Sequence, residues 1–317
     1  MSEPPLVLIA DPVDPGALQV LGKGPCRVVD ASGDPATLPA QVGAAWGLVV
    51  RSRTKVTDAL LSQAPQLRVV ARAGVGVDNV DLKAATARKV LVVNAPTAAT
   101  TSVAELTVTF ALLLVRDLYG AIQATKGGAW KRGLNGAELS GKTVGLVGYG
   151  RIGREVARRL RAFGASVVAF DPLLPRSPDE TPLVPLDELL ARSDIVSLHA
   201  ALTPENHHLL NAERLARLRR GAYIINVARG ALIDEEALLA ALTSGQVAGA
   251  ALDVFEPEPP TRTALLTHPK VVATPHLGAS TPEAQNRAGV QVAEELLRLL
   301  RGEEPLYLVN TEVRAHP

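Results

Sequence analysis

Short apolar runs alternate with amphipathic segments along most of the chain, and this alternation predicts its secondary structure. The runs that we predict to be strands in the first third are Leu6–Ile9, Arg27–Val29, Leu48–Val50, Leu67–Ala71 and Val90–Val93. The segments between them that we predict to be helices are Ala17–Leu21, Asp58–Gln63 and Leu82–Arg88. Strands that alternate with helices form a parallel sheet with both faces covered, so the pattern predicts an α/β fold.

The same pattern continues after residue 140 and adds a glycine-rich turn. Thr143–Val147 is a predicted buried strand, and the turn that follows it reads Gly148-Tyr149-Gly150-Arg151-Ile152-Gly153. Gly148 permits a tight turn, Gly150 lets the backbone approach a pyrophosphate, and Gly153 lets the helix pack closely on the strand. The helix predicted over Glu155–Phe163 adds N–H groups and a positive dipole end at its start. The turn therefore predicts dinucleotide binding.

An acidic residue ends the next predicted strand. Ser166–Phe170 is apolar, and Asp171 follows it at about the 20-residue distance from the last glycine that is typical of a ribose-binding acid. A carboxylate in that position accepts hydrogen bonds from the ribose hydroxyls and repels a 2′-phosphate. The sequence therefore predicts NAD as the cofactor rather than NADP.

A chain of 317 residues is long for one hydrophobic core, so two domains are expected. The later runs that we predict to be strands are Ile195–Leu198, Tyr223–Asn226, Val247–Leu252 and Val271–Ala273. Helices are predicted at Leu186–Ala191, Ala212–Leu218, Glu235–Thr243 and Pro282–Arg301. We expect the last apolar run, Leu306–Val309, to return to the first domain. The predicted division is therefore 1–95 with 282–317 in one domain and 96–281 in the other.

The predicted helix Ser102–Leu118 leaves almost no polar face. A helix that is apolar all round must be buried. We expect this helix to lie at the centre of a homodimer interface, and burial within one subunit is the alternative.

Composition narrows the partners and the compartment. The net charge of +1 argues against nucleic acid or an anionic membrane as a partner. The only cysteine, Cys26, allows no internal disulfide, which indicates a reducing compartment. The N-terminal residues lack the pattern of a signal peptide, and the apolar stretch Leu106–Val115 is too short to span a bilayer. We therefore expect a cytoplasmic protein.

Residues suited to acid/base chemistry follow the ends of predicted strands. Val75 and Gly76 lie in a glycine-rich turn whose N–H groups suit a carboxylate anion. Arg229 follows another strand end, and a guanidinium there suits a carboxylate or carbonyl oxygen. His276 follows a third strand end and suits a general acid/base whose pKa a carboxylate would raise. Two acids, Glu256 and Glu258 in the loop after Val247–Leu252, are candidates for that carboxylate. The set suits hydride transfer between a secondary alcohol and NAD.

A metal site is not predicted. The chain has no HExxH or CxxC motif. His207 and His208 are adjacent in a predicted loop, and we expect neighbouring side chains there to face different ways.

Four segments together resemble the D-isomer-specific 2-hydroxyacid dehydrogenases, and the phosphoglycerate branch most of all. They are residues 49–56, 72–82, 141–157 and 276–281. The resemblance implies two doubly wound parallel-sheet domains: a Rossmann cofactor domain and a discontinuous, flavodoxin-like substrate-binding domain. It also implies a homodimer formed through the cofactor domain, and a small 2-hydroxy or 2-oxo acid as the substrate.

The resemblance further implies residue roles. It places the catalytic set on Arg229, Glu258 and His276, with Glu256 as the alternative acid. The residues that it implies for cofactor binding are Gly148, Gly150, Arg151, Ile152, Gly153, Asp171, His199, Val227, Asp253 and Gly278. Those implied for substrate binding are Arg51, Arg72, Val75, Gly76 and Arg229, with Arg53 as a further candidate.

The resemblance to the phosphoglycerate branch implies oxidation of 3-phospho-D-glycerate to 3-phosphohydroxypyruvate in serine biosynthesis. The alternative within the family is reduction of glyoxylate or hydroxypyruvate. The alternative from another class is a dinucleotide-sensing corepressor, which the neutral charge disfavours. Because the sequence ends at Pro317, we expect no regulatory domain like that of the long members and no feedback by serine.

Overall fold

A computed structural model of the chain describes residues 3–130, 136–261 and 264–315. The chain divides into two compact units, one formed by Met1–Ala99 with Ala279–Pro317 and the other by Thr100–Gly278.

The strands in chain order are β1 Leu6–Ile9, β2 Arg27–Asp30, β3 Ala45–Val50, β4 Val69–Arg72, β5 Leu91–Asn94, β6 Thr143–Val147, β7 Ser166–Phe170, β8 Ile195–Leu198, β9 Ala222–Asn226, β10 Val247–Leu252 and β11 Val271–Ala273. The helices are α1 Pro15–Leu21, α2 Leu38–Gln41, α3 Asp58–Ser62, α4 Leu82–Ala87, α5 Thr100–Val115, α6 Leu118–Lys126, α7 Arg151–Ala162, α8 Leu186–Arg192, α9 Ala212–Ala216, α10 Glu235–Thr243 and α11 Pro282–Leu300.

The first unit is built on a five-stranded parallel sheet in the order β2-β1-β3-β4-β5. Successive residues of a strand point to opposite faces, so each strand contributes to two cores. Leu8 and Leu48 belong to the core that α2, α3 and α4 cover. Val7 and Val49 belong to the core that α1 and α11 cover. Burial on both faces explains why these strands are continuous apolar runs in the sequence.

The C-terminal apolar run packs on the first sheet without extending it as a strand. Val309 donates its N–H to Val92 O at 2.8 Å, and Leu308 forms an antiparallel bridge with Val93. Glu295 of α11 is 2% exposed, and its carboxylate accepts the N–H groups of Leu306 and Tyr307. The buried carboxylate therefore fixes the path by which the chain returns to β5.

The second unit is built on a six-stranded parallel sheet in the order β11-β10-β9-β8-β6-β7. Val147, Val196 and Ile224 lie in a core that α8, α9 and α10 cover. The helices α5 and α7 pack against each other and against the sheet. The prediction of an α/β fold with two doubly wound parallel sheets is confirmed. Because β6 lies between β7 and β8, the strand order reverses there, and such reversals place ligands at the carboxyl ends of the strands.

The apolar helix of the sequence analysis is divided in the structure. The helix α5 ends at Val115, and α6 begins at Leu118 after Asp117, whose φ of 45° is in the left-handed region. Phe110 and Leu114 are buried within the second unit. Most of the apolar surface of α5 is therefore covered by its own chain.

Within the described residues, no helix combines the length and the apolar character that crossing a membrane requires.

Candidate active site

The turn after β6 needs glycine at two positions and leaves open space at a third. Gly148 has a φ of 91°, and a Cβ atom on it would lie 2.7 Å from the Ala200 nitrogen. A Cβ atom on Gly153 would lie 2.4 Å from Gly148 O. A Cβ atom on Gly150 would meet nothing within 4 Å, so the backbone there is open to a ligand. Since α7 begins at the next residue, its first N–H groups point into the same space.

The predicted ribose-binding acid lies at the edge of this turn. Asp171 follows β7, and its Oδ2 accepts the Tyr149 N–H at 2.9 Å, while its Oδ1 accepts the Leu173 N–H at 3.0 Å. Tyr149 is fully buried, and its hydroxyl contacts Asp179 Oδ2 at 2.8 Å and Thr181 Oγ1 at 2.5 Å. Tyr149 therefore ties both Asp171 and the loop after β7 to the glycine turn. This role of Tyr149 was not predicted, although an aromatic residue between Gly148 and Gly150 was a signal in the sequence.

His199 is the first residue after β8. Its N–H donates to Val147 O at 2.7 Å, which places its backbone beside the glycine turn. Burial lowers the pKa of the imidazole to about 3, so the ring is neutral. Its Nε2 contacts Ser197 Oγ at 2.9 Å, whereas its buried Nδ1 has no hydrogen-bond partner among the described residues. A buried polar atom beside the open turn fits a bound dinucleotide that supplies the missing partner.

The turn that carries Arg229 is shaped by Asn226, the last residue of β9. Asn226 is 1% exposed, and its side chain accepts the Ala228 N–H at 3.0 Å and donates to Arg229 O at 2.8 Å. The guanidinium of Arg229 donates to Ala228 O at 2.7 Å. A Cβ atom on Gly230 would lie 2.0 Å from the Phe255 carbonyl carbon, so glycine brings this turn against the acidic loop. Val227, a predicted cofactor-binding residue, is buried at the start of the turn.

The acidic loop after β10 separates the two candidate acids. Glu258 Oε2 lies 2.8 Å from His276 Nδ1, and Glu258 Oε1 accepts the Phe255 N–H at 3.1 Å. Glu256 instead faces His207 and His208. The geometry thus pairs Glu258 with His276.

Asp253 holds the turn on which His276 lies. Asp253 is 1% exposed, and its carboxylate accepts the N–H groups of Leu277 at 2.7 Å and Gly278 at 2.8 Å and the Thr274 hydroxyl at 2.5 Å. Its carbonyl oxygen accepts the His276 N–H at 2.9 Å. His276 has a φ of 55°, a left-handed conformation that this set of hydrogen bonds supports. Asp253 and Gly278, which the sequence analysis assigns to cofactor binding, thus also position His276.

The charges of this group favour an ionised pair. The hydrogen bond that His276 donates to Glu258 raises the pKa of His276 above its ordinary value, although burial opposes the rise. Burial alone would raise the pKa of Glu258, but hydrogen bonds from His276 and the Phe255 N–H outweigh it and lower that pKa. The raised pKa of His276 and the lowered pKa of Glu258 favour an imidazolium beside a carboxylate, a pair that can bind and release a proton.

The residues predicted to bind substrate lie at the carboxyl ends of β3 and β4 in the first unit. Arg51 follows β3, and its guanidinium donates to Pro12 O at 3.5 Å. Arg72 is the last residue of β4. Val75 O accepts the Asn94 side-chain N–H at 2.6 Å, which holds the loop that Val75 and Gly76 share. The parallel sheet therefore brings these predicted residues to the same edge.

Asp11 organises that edge, and its role was not predicted from the sequence. Asp11 is 1% exposed, and its carboxylate accepts the Arg51 N–H at 2.7 Å, the Thr54 N–H at 3.1 Å and the Thr54 hydroxyl at 2.7 Å. Arg53 contacts the same carboxylate at 3.3 Å and donates to Ser32 O at 2.6 Å. Asp11 therefore positions the loop that carries Arg51. Its place two residues after the predicted strand Leu6–Ile9 was the signal that could have identified it.

The chain is similar to known proteins over nearly its whole length. D-3-phosphoglycerate dehydrogenase of Mycobacterium tuberculosis (strain ATCC 25618 / H37Rv) is 49% identical over 306 residues, which are 94% of this chain and 57% of that protein. The crystal structure of the TT0316 protein from Thermus thermophilus superposes with a TM-score of 0.87 at 39% identity, over 96% of this chain and 99% of that one. A glyoxylate reductase from Paecilomyes thermophila superposes with a TM-score of 0.87 at 30% identity, over 98% and 99% of the two chains.

The chain spans 57–59% of the length of the first curated relatives that it matches. A family model described as D-isomer specific 2-hydroxyacid dehydrogenase, NAD binding domain, matches residues 108–278, which are more than half of the chain and include the glycine turn and His276. The resemblance that the sequence analysis found and its prediction of NAD are both confirmed. The chain therefore belongs to the D-isomer specific 2-hydroxyacid dehydrogenase family, and residues 108–278 are its NAD-binding domain.

Proposed function

We propose that the chain is an NAD-dependent D-2-hydroxyacid dehydrogenase whose main substrate is 3-phospho-D-glycerate, which it oxidises to 3-phosphohydroxypyruvate for serine synthesis. The observation that carries this activity is the 2.8 Å contact between His276 Nδ1 and Glu258 Oε2, in the same unit as the glycine turn. A histidine with one ring nitrogen fixed by a carboxylate suits proton exchange with a substrate hydroxyl at the other nitrogen.

Each side chain has a distinct part in this reaction. His276 Nε2 accepts the proton of the substrate hydroxyl during oxidation and returns it during reduction, while Glu258 stabilises the imidazolium. The guanidinium of Arg229 binds the carboxylate or the carbonyl oxygen next to the reacting carbon. Bound NAD supplies the acceptor for the hydride that leaves that carbon. The turn at Gly150 and the carboxylate of Asp171 bind and orient the cofactor.

The choice of substrate rests on the first unit and on the relatives. Arg51 and Arg72 provide positive charge at one edge of the first sheet, where a substrate phosphate would bind. The relatives that are 43–49% identical are named D-3-phosphoglycerate dehydrogenase. The second candidate is reduction of glyoxylate or hydroxypyruvate, which the similarity to a glyoxylate reductase over nearly its whole length favours.

A spectrophotometric panel tests the proposal. NADH formation with 3-phosphoglycerate and NADH loss with 3-phosphohydroxypyruvate, glyoxylate and hydroxypyruvate are measured on one enzyme preparation. We expect the highest kcat/KM in the reducing direction for 3-phosphohydroxypyruvate. A higher kcat/KM for glyoxylate or hydroxypyruvate would favour the second candidate, and no turnover with any of the four would reject the dehydrogenase activity.

We also propose that the chain forms a homodimer through α6 rather than through α5 alone. Leu118, Tyr119 and Ile122 of α6 are 38–47% exposed, and Trp130 shortly after it is 77% exposed. Contiguous apolar exposure of this kind is typical of an interface. Light scattering should give the mass of a dimer for the natural chain and that of a monomer for Ile122→Glu. A monomeric natural chain at micromolar concentration would contradict the proposal.

A further inference from the structure

Two adjacent histidines and a glutamate converge on one point of the second unit. His207 Nε2 lies 3.3 Å from Glu256 Oε1, and His208 Nε2 lies 3.0 Å from Glu256 Oε2. One ligand-type atom from each of the three side chains lies within 4.8 Å of the others. From the sequence we expected the two imidazoles to face different ways, but in the structure both face the carboxylate of Glu256.

The backbone explains why both rings face the same carboxylate. His208 has a φ of 49°, in the left-handed region, and the ring centroids of His207 and His208 are 4.0 Å apart with 26° between their planes. A residue other than glycine adopts this conformation only where neighbouring structure holds it. The His208 N–H donates to Ala231 O at 2.7 Å, and the Leu210 N–H donates to Leu232 O at 3.0 Å. These two bonds anchor the chain at His208 and at the second residue after it.

The carboxylate is fixed from its own side. The Glu256 N–H donates to Glu235 Oε1 at 2.9 Å, so the first turn of α10 holds the backbone of the acidic loop at this residue. Both halves of the cluster are thus attached to secondary structure through backbone hydrogen bonds. A site that is held in this way loses little conformational freedom when it binds a ligand.

We propose that His207, His208 and Glu256 bind a divalent first-row transition-metal ion of the zinc type. Imidazole nitrogen and carboxylate oxygen bind zinc at about 2.0–2.2 Å, which places the ligand atoms of a tetrahedral site roughly 3.3 Å apart. The observed nitrogen–oxygen separations of 3.3 and 3.0 Å run to the two different oxygens of Glu256, and one ligand atom from each residue lies within 4.8 Å of the others, so small side-chain rotations can bring one atom of each residue to this spacing. Two imidazoles select zinc, cobalt, nickel or copper over magnesium and calcium, which prefer oxygen.

The ion would leave at least one coordination position to water. The three side chains are 39–49% exposed, and they supply three ligands where tetrahedral zinc takes four. The site uses Glu256, whereas the candidate acid/base pair uses Glu258, so the two adjacent acids of one loop would serve different purposes. An ion that binds only the folded chain raises the midpoint of thermal unfolding by mass action.

Isothermal titration with zinc chloride tests the site on the full, untagged chain after removal of metal with a chelator. We expect one zinc ion per chain, and we expect His208→Gln and Glu256→Gln each to weaken zinc binding by at least about tenfold. His268→Gln is the matched control, because His268 is in the same unit but its Nδ1 accepts the Lys270 N–H at 3.2 Å away from the cluster. This control should bind zinc as the natural chain does.

Cobalt absorption and thermal unfolding separate the possible outcomes. Cobalt should give the spectrum of a four-coordinate site in the natural chain and in His268→Gln, and zinc should raise the unfolding midpoint of both but not of Glu256→Gln. Absence of zinc binding by the natural chain, or equal binding by all variants, would overturn the proposal. Loss of binding in His276→Gln with retention in Glu256→Gln would place the ion at the acid/base pair and would also overturn it. The unfolding midpoint of each variant without metal shows whether that variant is folded. If His208→Gln is not folded, zinc binding by Glu256→Gln alone tests the proposal.

Discussion

The first βα turn of each sheet occupies the same topological position in the two units, but only one turn leaves the start of its helix open. β1 lies between β2 and β3, as β6 lies between β7 and β8. In the first unit, Asp14 caps α1, and its carboxylate accepts the Gly16 N–H at 2.9 Å. In the second unit, α7 follows Gly150, which has no side chain to form a cap. In the first unit a carboxylate of the chain occupies the start of the helix, whereas in the second unit the start of the helix has room for the phosphates of a ligand.

The neighbouring strand shows the same difference. After β3, the carboxylate of Asp11 accepts the N–H groups of Arg51 and Thr54. After β8, the buried Nδ1 of His199 lacks a hydrogen-bond partner within the part of the chain that is described. Buried polar groups are normally satisfied, so one that is not marks a place where a ligand completes the structure. At the ends of β1 and β3, backbone N–H groups are therefore satisfied by carboxylates of the chain, whereas the ends of β6 and β8 leave an uncapped helix and a buried nitrogen for a ligand to satisfy.

The largest effect that we expect comes from removing the acid/base of the second unit. His276→Asn should lower kcat by about a hundredfold or more, because a positioned acid/base contributes that much to proton transfer. NAD affinity, measured by titration calorimetry, should stay unchanged, since the open turn does not involve this side chain. An unchanged kcat would refute the role of His276, and a matching loss of NAD affinity would show that the turn and the pair are not separate.

A carboxylate at position 150 would cap α7 as Asp14 caps α1, and it should remove the difference between the two turns. Gly150→Asp adds a helix cap and a negative charge where the pyrophosphate is expected. Gly150 has a φ of −76°, and its Cβ position is open, so the variant should fold without strain. We expect NAD to bind about a hundredfold more weakly, because like charges about 4 Å apart repel by up to about 4 kcal/mol near a protein surface.

Gly150→Ala is the matched control for this variant. It fills the same space without charge, so we expect it to weaken NAD binding less than Gly150→Asp does. Thermal unfolding without cofactor should show Gly150→Asp at least as stable as the natural chain and Gly150→Ala slightly less stable, because alanine is a poorer N-cap than glycine. If the two variants weakened NAD binding equally, the added volume of the side chain rather than its charge would explain the loss of affinity.

Arg51 tests whether the edge of the first sheet discriminates between substrates. Arg51→Ala should raise the KM for 3-phosphohydroxypyruvate by roughly 10–100-fold, the loss expected for a hydrogen bond between charged groups. The KM for glyoxylate, which carries no phosphate, should change much less. Steady-state kinetics with both substrates on the same preparation provide the comparison, and equal effects would count against phosphate recognition by Arg51.

Glu258→Gln should move the pH dependence of the reaction. Oxidation requires the neutral imidazole of His276, so its rate rises as the pH increases through the pKa of that group. Because the hydrogen bond to the Glu258 carboxylate raises this pKa, its loss should shift the rising limb of kcat to lower pH and reduce the plateau. Reduction requires the imidazolium and should lose activity at correspondingly lower pH. A limb that stayed in place would show that another group controls it.

The sequence predicted the buried parallel strands well, because burial on both faces turns each into an apolar run. The predicted bounds of β1, β6, β7, β8, β10 and β11 are those of the structure. The prediction was less good where a backbone dihedral decides the outcome. The left-handed Asp117 divides an apolar segment that hydrophobic periodicity predicts as one helix. The left-handed His208 brings two adjacent rings to one carboxylate, which side-chain alternation does not predict.

Candidate site residues could be found from the sequence where a strand end carried a recognisable motif. The motif around Gly148 predicted the turn, and the resemblance implied Glu258 rather than Glu256 as the partner of His276. The groups that position these residues carry no motif, because Asp11 and Tyr149 act through contacts with distant segments. Their roles follow from burial and hydrogen bonding, which only the three-dimensional structure supplies.

The smallest effect that we expect tests the closed turn of the first unit. Asp14→Ala removes the cap of α1 and should lower the free energy of unfolding by about 1 kcal/mol, the usual contribution of such a cap. Asp14→Asn keeps an oxygen that accepts the Gly16 N–H and should retain most of the stability, which denaturation followed by circular dichroism can measure. Neither variant should alter NAD affinity, because Asp14 caps a helix of the first unit, whereas the glycine turn belongs to the second. If Asp14→Ala weakened NAD binding as Gly150→Asp does, the two turns would depend on one another, and the difference between a closed and an open strand end would not explain where the cofactor binds.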